Sequence, residues 1–539
     1  MAVVGAGPSG LVTVKELLAE GHRPVCFERR AGLGGVFRFD EEHGVVWESC
    51  RLTSSGLLTA FSDFPAPPDL AGHMTTGEYV AYLDRYCEAF GLGPHIRFET
   101  DVESVERDGT GWRVVTTEGV ERFDAVAVCS GLHQHPHRPR FEGQETFSGE
   151  IIHGAEYRRP AQVAGRRVLI VGAGESGADV VAEVADHAAE TVLSLRRGVS
   201  VLPRRIHGYP NDYLTCRINN SAAPWVFETR NPADAWKLNL YRVVFLPLVV
   251  ADKCVQTVFR AIETLTTRPR LARETRRLTE QLLAESGGTR QEQFGTKSDD
   301  FVRAIAAGRC RRAGPVARFE GDRAVFEDGT VFEPDLVILC TGFDVKLPFL
   351  GDDLAGAPRF LHTFVPSVGS GLAFVGLLRP SFGAIPPLAE LQARWLALLL
   401  SGTVELPGET EMRASIDRLT GFREHHFRAV RGRLEYLVDY TSCCDELASM
   451  IGCKPTRRAL RCESRRFRRR FVSAPFVAAQ YRLVGPHAEP ELARQVIEGL
   501  PIAYPAHELA LFQLRWRLSR LLRLLLGPRF APKLELSER

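Results

Sequence analysis

The chain opens on a short apolar run, AVV, then a glycine-rich turn, GAGPSG at 5–10. Apolar residues next return at helical spacing through LVTVKELLAE, and a second apolar run, PVCFE, follows. Strand, tight turn, amphipathic helix and strand make a β-turn-α-β unit. Farther on, VESVERDGTGWRVVTTEGVERFDAVAVCSG alternates apolar and polar positions around the turn signals DG and EG, then runs apolar into Ser130-Gly131. That pattern predicts antiparallel strands and then a buried strand. The plan then repeats. RRVLIVGAGESGADVVAEVADHAAETVLSLRRG holds a second unit with GAGESG at 172–177, and RFEGDRAVFEDGTVFEPDLVILCTGF repeats the hairpin and the buried strand, now ending in Thr341-Gly342. The same elements in the same order, twice, constitute an internal repeat. They predict an α/β chain with two Rossmann-like dinucleotide-binding domains.

The remaining pattern sets expected boundaries. Residues 1–165 form the first part of the first domain, and 166–335 form the second. The second is interrupted at about 205–295 by mixed helical patterns such as DKCVQTVFRAIETL, read as an insertion. Residues 336–430 return to the first domain and include the amphipathic helix LAELQARWLALLL, and 431–539 are a C-terminal extension. The extension carries a basic run, RRALRCESRRFRRRF, read as a solvated face. It ends in ELALFQLRWRLSRLLRLLLGPR, where Leu511, Leu514, Leu518, Leu521, Leu522 and Leu525 share one helical face and Arg515, Arg517, Arg520 and Arg523 spread over the other. Those arginines argue against a bilayer span. The helix suits an anionic membrane interface, or a face docked on the protein or on a second copy in a homodimer.

Composition narrows the function. At 539 residues the chain exceeds one core. Its 68 basic and 66 acidic residues leave a net charge of +2, too small a field to favour nucleic acid. Twelve cysteines show no CxxC spacing, and no histidine–carboxylate cluster suggests a metal, so reduced thiols and no metal are expected. The N-terminus starts a strand rather than a secretory signal, and a cytoplasmic protein is expected, with peripheral membrane contact through the tail as the variant.

The two glycine turns differ where their ligands should differ. Gly5 permits the tight turn, Gly7 lets backbone approach a pyrophosphate, and Gly10 brings helix and strand together; Gly172, Gly174 and Gly177 repeat this set. Glu28 ends the first unit's second strand, where a carboxylate can accept from both ribose hydroxyls. The matching strand of the second unit ends in Ser194-Leu195-Arg196-Arg197, a guanidinium pair suited to the 2′-phosphate of NADP. Gly34 and Gly35, in GLGGVF, allow further backbone near a diphosphate. FAD in the first domain and NADPH in the second is the pair these ends request.

FSGEIIHGAEY at 147–157 fits FxGxxxHxxxY/F and stands just before the second finger. With GAGPSGL, ERRAGLGGVF, FSDFP, VFEDGTVFE, CTGF and ELQARW, it makes the chain resemble the flavin-containing monooxygenases over nearly its whole length, in consistent order. DELASMIG and QYRLVGP look like the longer, vertebrate-type members. Read from the residues alone, Phe147, Gly149 and Tyr157 suit packing at an interdomain seam, and His153 either packs there or contacts a cofactor.

The resemblance implies a glutathione-reductase-like flavoprotein in which NADPH reduces FAD. The flavin forms a C4a-hydroperoxyflavin with O2 and oxygenates a soft nucleophile, an amine or a sulfide, as in N,N-dimethylaniline monooxygenase activity. It places FAD contacts on Gly5, Ala6, Gly7, Pro8, Ser9, Gly10, Glu28, Gly34, Gly35, Val36, Phe37, Thr53 and Ser54. It places NADP contacts on Leu52, Thr53, Gly172, Gly174, Ser176, Gly177, Ser194, Leu195, Arg196 and Arg197, with Thr341 and Gly342 at the cofactor face. Thr53 stands where the family usually has Asn beside the flavin, so it either serves as well or holds oxygen chemistry less tightly. Phe37 stands where Trp is frequent. Tyr209, in HGYPND, is expected near the nicotinamide. The rival readings are a Baeyer–Villiger monooxygenase acting on ketones, against which Tyr157 speaks, an uncoupled NADPH oxidase, and a flavin-binding interaction protein.

Overall fold

The computed structural model describes residues 1–218, 270–287, 295–426 and 434–514. Both Rossmann units form. In the first, five parallel strands stand in the order Leu372–Phe374, Val126–Val128, Ala2–Val4, Val25–Phe27, Ile96–Arg97. Val3 lies opposite Cys26 on one side and Ala127 on the other, and the central strand is buried on both faces, as a covered parallel sheet requires. In the second, the order is Arg311–Ala313, Glu190–Ser194, Arg167–Val171, Leu336–Leu339, Glu150–His153, again parallel. Each unit carries a three-stranded antiparallel appendage, at 102–123 and 316–332, where the DG and EG turns placed them.

The second sheet begins upstream of residue 166. FSGEIIHGAEY supplies its edge strand, Glu150–His153, so most of the motif lies inside the second unit rather than at a seam. Phe147 packs on Phe319 of the appendage, with ring centroids 4.9 Å apart, and a Cβ on Gly149 would stand 2.5 Å from the Phe147 ring. Tyr157 does reach the seam: it is fully buried, its hydroxyl donates to Glu183 at 2.9 Å, and its ring meets Trp47 of the first unit at 6.4 Å.

The chain crosses between units twice, and the crossings pair. His135–Pro136, going out, and Phe343–Asp344, coming back, form an antiparallel two-stranded ribbon. His137 N donates to Gly342 O at 2.8 Å, and the His137 ring lies 3.1 Å from the Asp344 carboxylate.

The return helix, Ile385–Leu400, corrects the amphipathic expectation. It is buried continuously from Pro386 to Leu398. One side packs on the first finger helix, Pro8–Ala19, and the other on Tyr440–Ile451 of the C-terminal extension. The extension is pinned by buried charge. Arg482, 1% exposed, lies 2.8 Å from Glu16, 3.0 Å from Asp63 and 2.8 Å from Glu390. Lys15 pairs with Glu16 and Asp63, while His487 meets Glu16 at 2.9 Å and Glu20 at 2.5 Å. Within the basic run, the helix Arg465–Ser473 turns Phe467 and Phe471 inward and leaves Arg465, Arg466 and Arg469 exposed. Among the described residues no helix is long and apolar enough to cross a membrane. The insertion pattern DKCVQTVFRAIETL and the tail beyond Leu514 lie outside the described residues.

Candidate active site

The first finger folds as its glycines dictate. Gly5 takes φ +101°, a conformation that favours glycine, and Gly7 caps the helix with Pro8 in its first turn. A Cβ on Gly10 would stand 1.8 Å from Gly5 O, so helix and turn approach as closely as backbone permits. The second finger repeats the geometry: Gly172 takes φ +99°, and a Cβ on Gly177 would stand 2.4 Å from Gly172 O.

Both fingers open on one cleft of about 900 Å³ between the units. From the first finger Gly5, Gly7, Pro8 and Ser9 line it, joined by Glu28 and by Gly35, Val36 and Phe37. Leu52, Thr53 and Ser54 form part of its wall. From the second unit come Gly172, Gly174, Ser176 and Gly177, then Ser194 and Arg196, with Thr341 and Gly342 at the crossing. Six expected residues do not line it. Ala6, Gly10 and Gly34 shape the turn from behind, and Ala6 N–H donates to Glu28 Oε2 at 2.7 Å. Leu195 is buried in the second core, and Arg197 stands exposed beyond the cleft. Tyr209 is the sixth: it is 36% exposed on the hairpin Arg205–Ile206/Tyr209–Pro210 and stacks on Tyr213 at 5.9 Å.

His153 packs at the crossing between the units and lines the cleft. Its Nδ1 accepts from Ala155 N–H at 3.0 Å, capping a short 3₁₀ turn, so Nε2 carries the proton and donates to Gly342 O at 3.0 Å. Burial, and then Arg138, push its pKa down, which keeps the ring neutral at the cleft wall.

The residues fit the two nucleotides. Glycine backbone lies open at each helix start, where N–H groups and the helix dipole receive a diphosphate. Among the described residues the buried Ser130 Oγ has no hydrogen-bond partner, and Ser130 lines the cleft beside the first finger. The strand ends that line the cleft differ, with the acidic Glu28 on one side and Arg196 on the other.

Sequence reasoning passed over the groups that brace this wall. Lys297, 5% exposed, stands 3.4 Å from Glu175, the first residue of the second finger helix, and Arg379 of the first unit approaches the same carboxylate at 3.8 Å. Asp179, one turn on, is paired with Arg204. Lys297, Arg379 and Arg204 sit in GTKSDD, LLRPS and LPRRI, which carry no periodic or motif signal of their own.

Comparison with known proteins decides the family. The flavin-binding monooxygenase-like family model matches residues 1–224 and 258–499. The chain belongs to the flavin-binding monooxygenase-like family. It is 33% identical to a 4-hydroxybenzoate brominase (decarboxylating) of Marinomonas mediterranea over 93% of both chains. It is 32% identical to flavin-containing monooxygenase 5 of Mus musculus, covering 90% of this chain and 89% of that one. Among solved structures, S-allyl-L-cysteine S-oxygenase from Allium sativum superposes with a TM-score of 0.58 at 21% identity, covering 85% of this chain and 90% of that one, a likeness of fold. As a flavin-binding monooxygenase, the protein is an NADPH-dependent oxidoreductase that uses FAD and NADPH. Reduced FAD supplies the O2 chemistry when bound, and the chain supplies binding, orientation and exclusion of water.

Proposed function

We propose that this flavin monooxygenase oxygenates the nitrogen or sulfur of a small amine or sulfide. The observation that carries the reading is the meeting of both fingers and Thr53 in one cleft, without a protein acid–base or nucleophilic triad among the described residues lining it. Chemistry of that kind asks the chain to hold a soft nucleophile beside the flavin and to keep water out; it asks for no side chain that attacks. Thr53 and Ser54 hold the flavin side, Arg196 anchors the NADPH 2′-phosphate, and neutral His153 fixes the turn at Gly342 through its Nε2–H. Membrane attachment through the C-terminal tail remains part of this proposal, tested by sedimentation with anionic vesicles at low salt.

A second reading has one specific support, the 33% identity to the brominase over 93% of both chains. In that reading halide, rather than amine or sulfide, takes the oxygen, and a phenol is the final acceptor. The FAD-loaded chain is incubated with NADPH and air against N,N-dimethylaniline, methyl phenyl sulfide, cyclohexanone, and 4-hydroxybenzoate with bromide, and products are read by mass spectrometry. The expected result is N-oxide or sulfoxide formed together with NADPH oxidation. Lactone alone or bromophenol alone overturns the first reading, and bromophenol establishes the second.

A further inference from the structure

Thr53 belongs to the first unit, but its loop is held from the second. Asp212 Oδ2 accepts from Ser55 N–H at 2.6 Å, and Arg204 Nη1 donates to Leu52 O at 3.4 Å. The same guanidinium pairs with Asp179 on the second finger helix. Ser55 is fully buried and Asp212 is 3% exposed. A neutral oxygen would satisfy a backbone N–H; burying a carboxylate for the purpose is costly, and the return is a shorter, stronger bond. Burial pushes the Asp212 carboxyl up, and among the described residues its Oδ1 has no hydrogen-bond partner.

Arg204 and Asp212 flank one small closed loop. Asn211 N donates to Arg204 O at 2.9 Å, and Asn211 Nδ2 donates to Pro203 O at 2.8 Å. That loop is moored to the second finger. Leu202 N donates to Thr296 O and Thr296 N to Ser200 O, both at 2.8 Å, and Thr296 Oγ1 donates to Ala173 O, inside GAGESG, at 3.0 Å. On its other side, His73 Nε2 meets Arg204 O at 3.2 Å and Tyr213 OH donates to Ala71 O at 3.0 Å. Hydrogen bonds joined by short runs of chain thus connect the NADPH finger to both ends of the Thr53 loop.

We propose that Arg204 and Asp212 are positioning residues for the oxygenation reaction: the second unit grips Leu52 and Ser55 and thereby sets where Thr53 stands against the flavin. The inference rests on the flavin-side reading of Thr53 given under the proposed function. It makes the placement of Thr53 a property of the interface between units rather than of the first unit alone.

The test uses the full FAD-loaded chain. Asp212→Ala removes the acceptor, Asp212→Asn keeps a side-chain oxygen, and Arg204→Lys keeps the charge beside Asp179 while shortening the reach to Leu52. Three quantities are read: hydrogen peroxide released per NADPH oxidised, KM for NADPH, and deuterium exchange at the Ser55 amide. Asp212→Ala is expected to speed Ser55 exchange and to raise peroxide per NADPH toward its stoichiometric ceiling of about one, with KM for NADPH unmoved. Asp212→Asn restores most of the coupling, and Arg204→Lys shifts it in the same direction as Asp212→Ala by less. A folded Asp212→Ala enzyme with wild-type peroxide yield overturns the proposal, and so does a rise in KM for NADPH with peroxide unchanged. Should Asp212→Ala fail to retain FAD, Arg204→Lys decides by the same two readings. If the wild-type enzyme oxidises no NADPH, the proposed function falls, while Ser55 exchange in the variants still reads the grip.

Discussion

Arg196 and Arg197 stand side by side after the strand Glu190–Ser194, both exposed, and only Arg196 lines the cleft. Arg196→Ala is therefore expected to raise KM for NADPH while leaving NADH nearly untouched, a loss of about 1.5–3 kcal/mol for one charge-assisted contact. Arg197→Ala should move it less. Equal losses with both dinucleotides would give Arg196 another duty. Thr53 offers one proton and a short reach, whereas an Asn amide both donates and accepts. Thr53→Asn is expected to lower the peroxide released per NADPH oxidised; a rise would mean that threonine is matched to this enzyme's own substrate. At this scale the sequence was informative about residues whose neighbours in the chain explain them, the finger glycines, Glu28 and Arg196. It was silent about the contacts of Arg204 with Leu52, Asp212 with Ser55 and Lys297 with Glu175, each made across more than a hundred residues.

The two fingers offer a matched pair of substitutions. Gly10→Ala places a methyl 1.8 Å from Gly5 O, so the helix Pro8–Ala19 must leave its strand, and the purified protein is expected to lose FAD and melt earlier. Gly174→Ala meets no atom of the described residues within 4 Å, and its φ of −70° suits alanine. It should fold with FAD bound yet bind NADPH more weakly, because the new methyl faces the cleft. An unaltered KM for NADPH would remove Gly174 from the diphosphate site. Strands, fingers and hairpins were legible because each is a local pattern of period 2 or 3.6. The helix Ile385–Leu400 was not. Its polar positions read as a solvent face, but Glu390 is met by Arg482, Gln392 by Gly376 N–H at 2.9 Å, and Arg394 Nη2 by Pro486 O at 2.8 Å. Charged residues that are buried because distant partners satisfy them look the same in sequence as charged residues in water.

For the molecule as a whole, the Arg482 cluster joins the C-terminal extension to the first finger helix and to the helix Ile385–Leu400. Arg482→Met leaves buried carboxylates without their cation, and removing one partner of such a set costs about 3–5 kcal/mol. The variant should melt earlier and release FAD more readily; an unchanged melting temperature would show that the extension is held by its apolar packing. His487 adds a pH dependence to the same contact. Its hydrogen bond to Glu16, then that to Glu20, raise its pKa against the opposing effects of burial and Arg394. The charged ring is favoured in the fold, so its contribution is complete below about pH 6.5 and fades as pH rises through the raised value. Melting temperatures across about pH 6 to 9 should therefore fall in the wild type relative to His487→Asn. A parallel course in the two would dismiss the histidine. The paired crossings have a mechanical consequence. Two strands bonded along a single axis resist being drawn apart and resist sliding, yet they yield to a turn about that axis. His135 of the ribbon and the neighbouring His137 line the cleft, so the pivot stands in its wall. A turn about that ribbon would displace the cleft wall least beside His135 and most at the rim farthest from it.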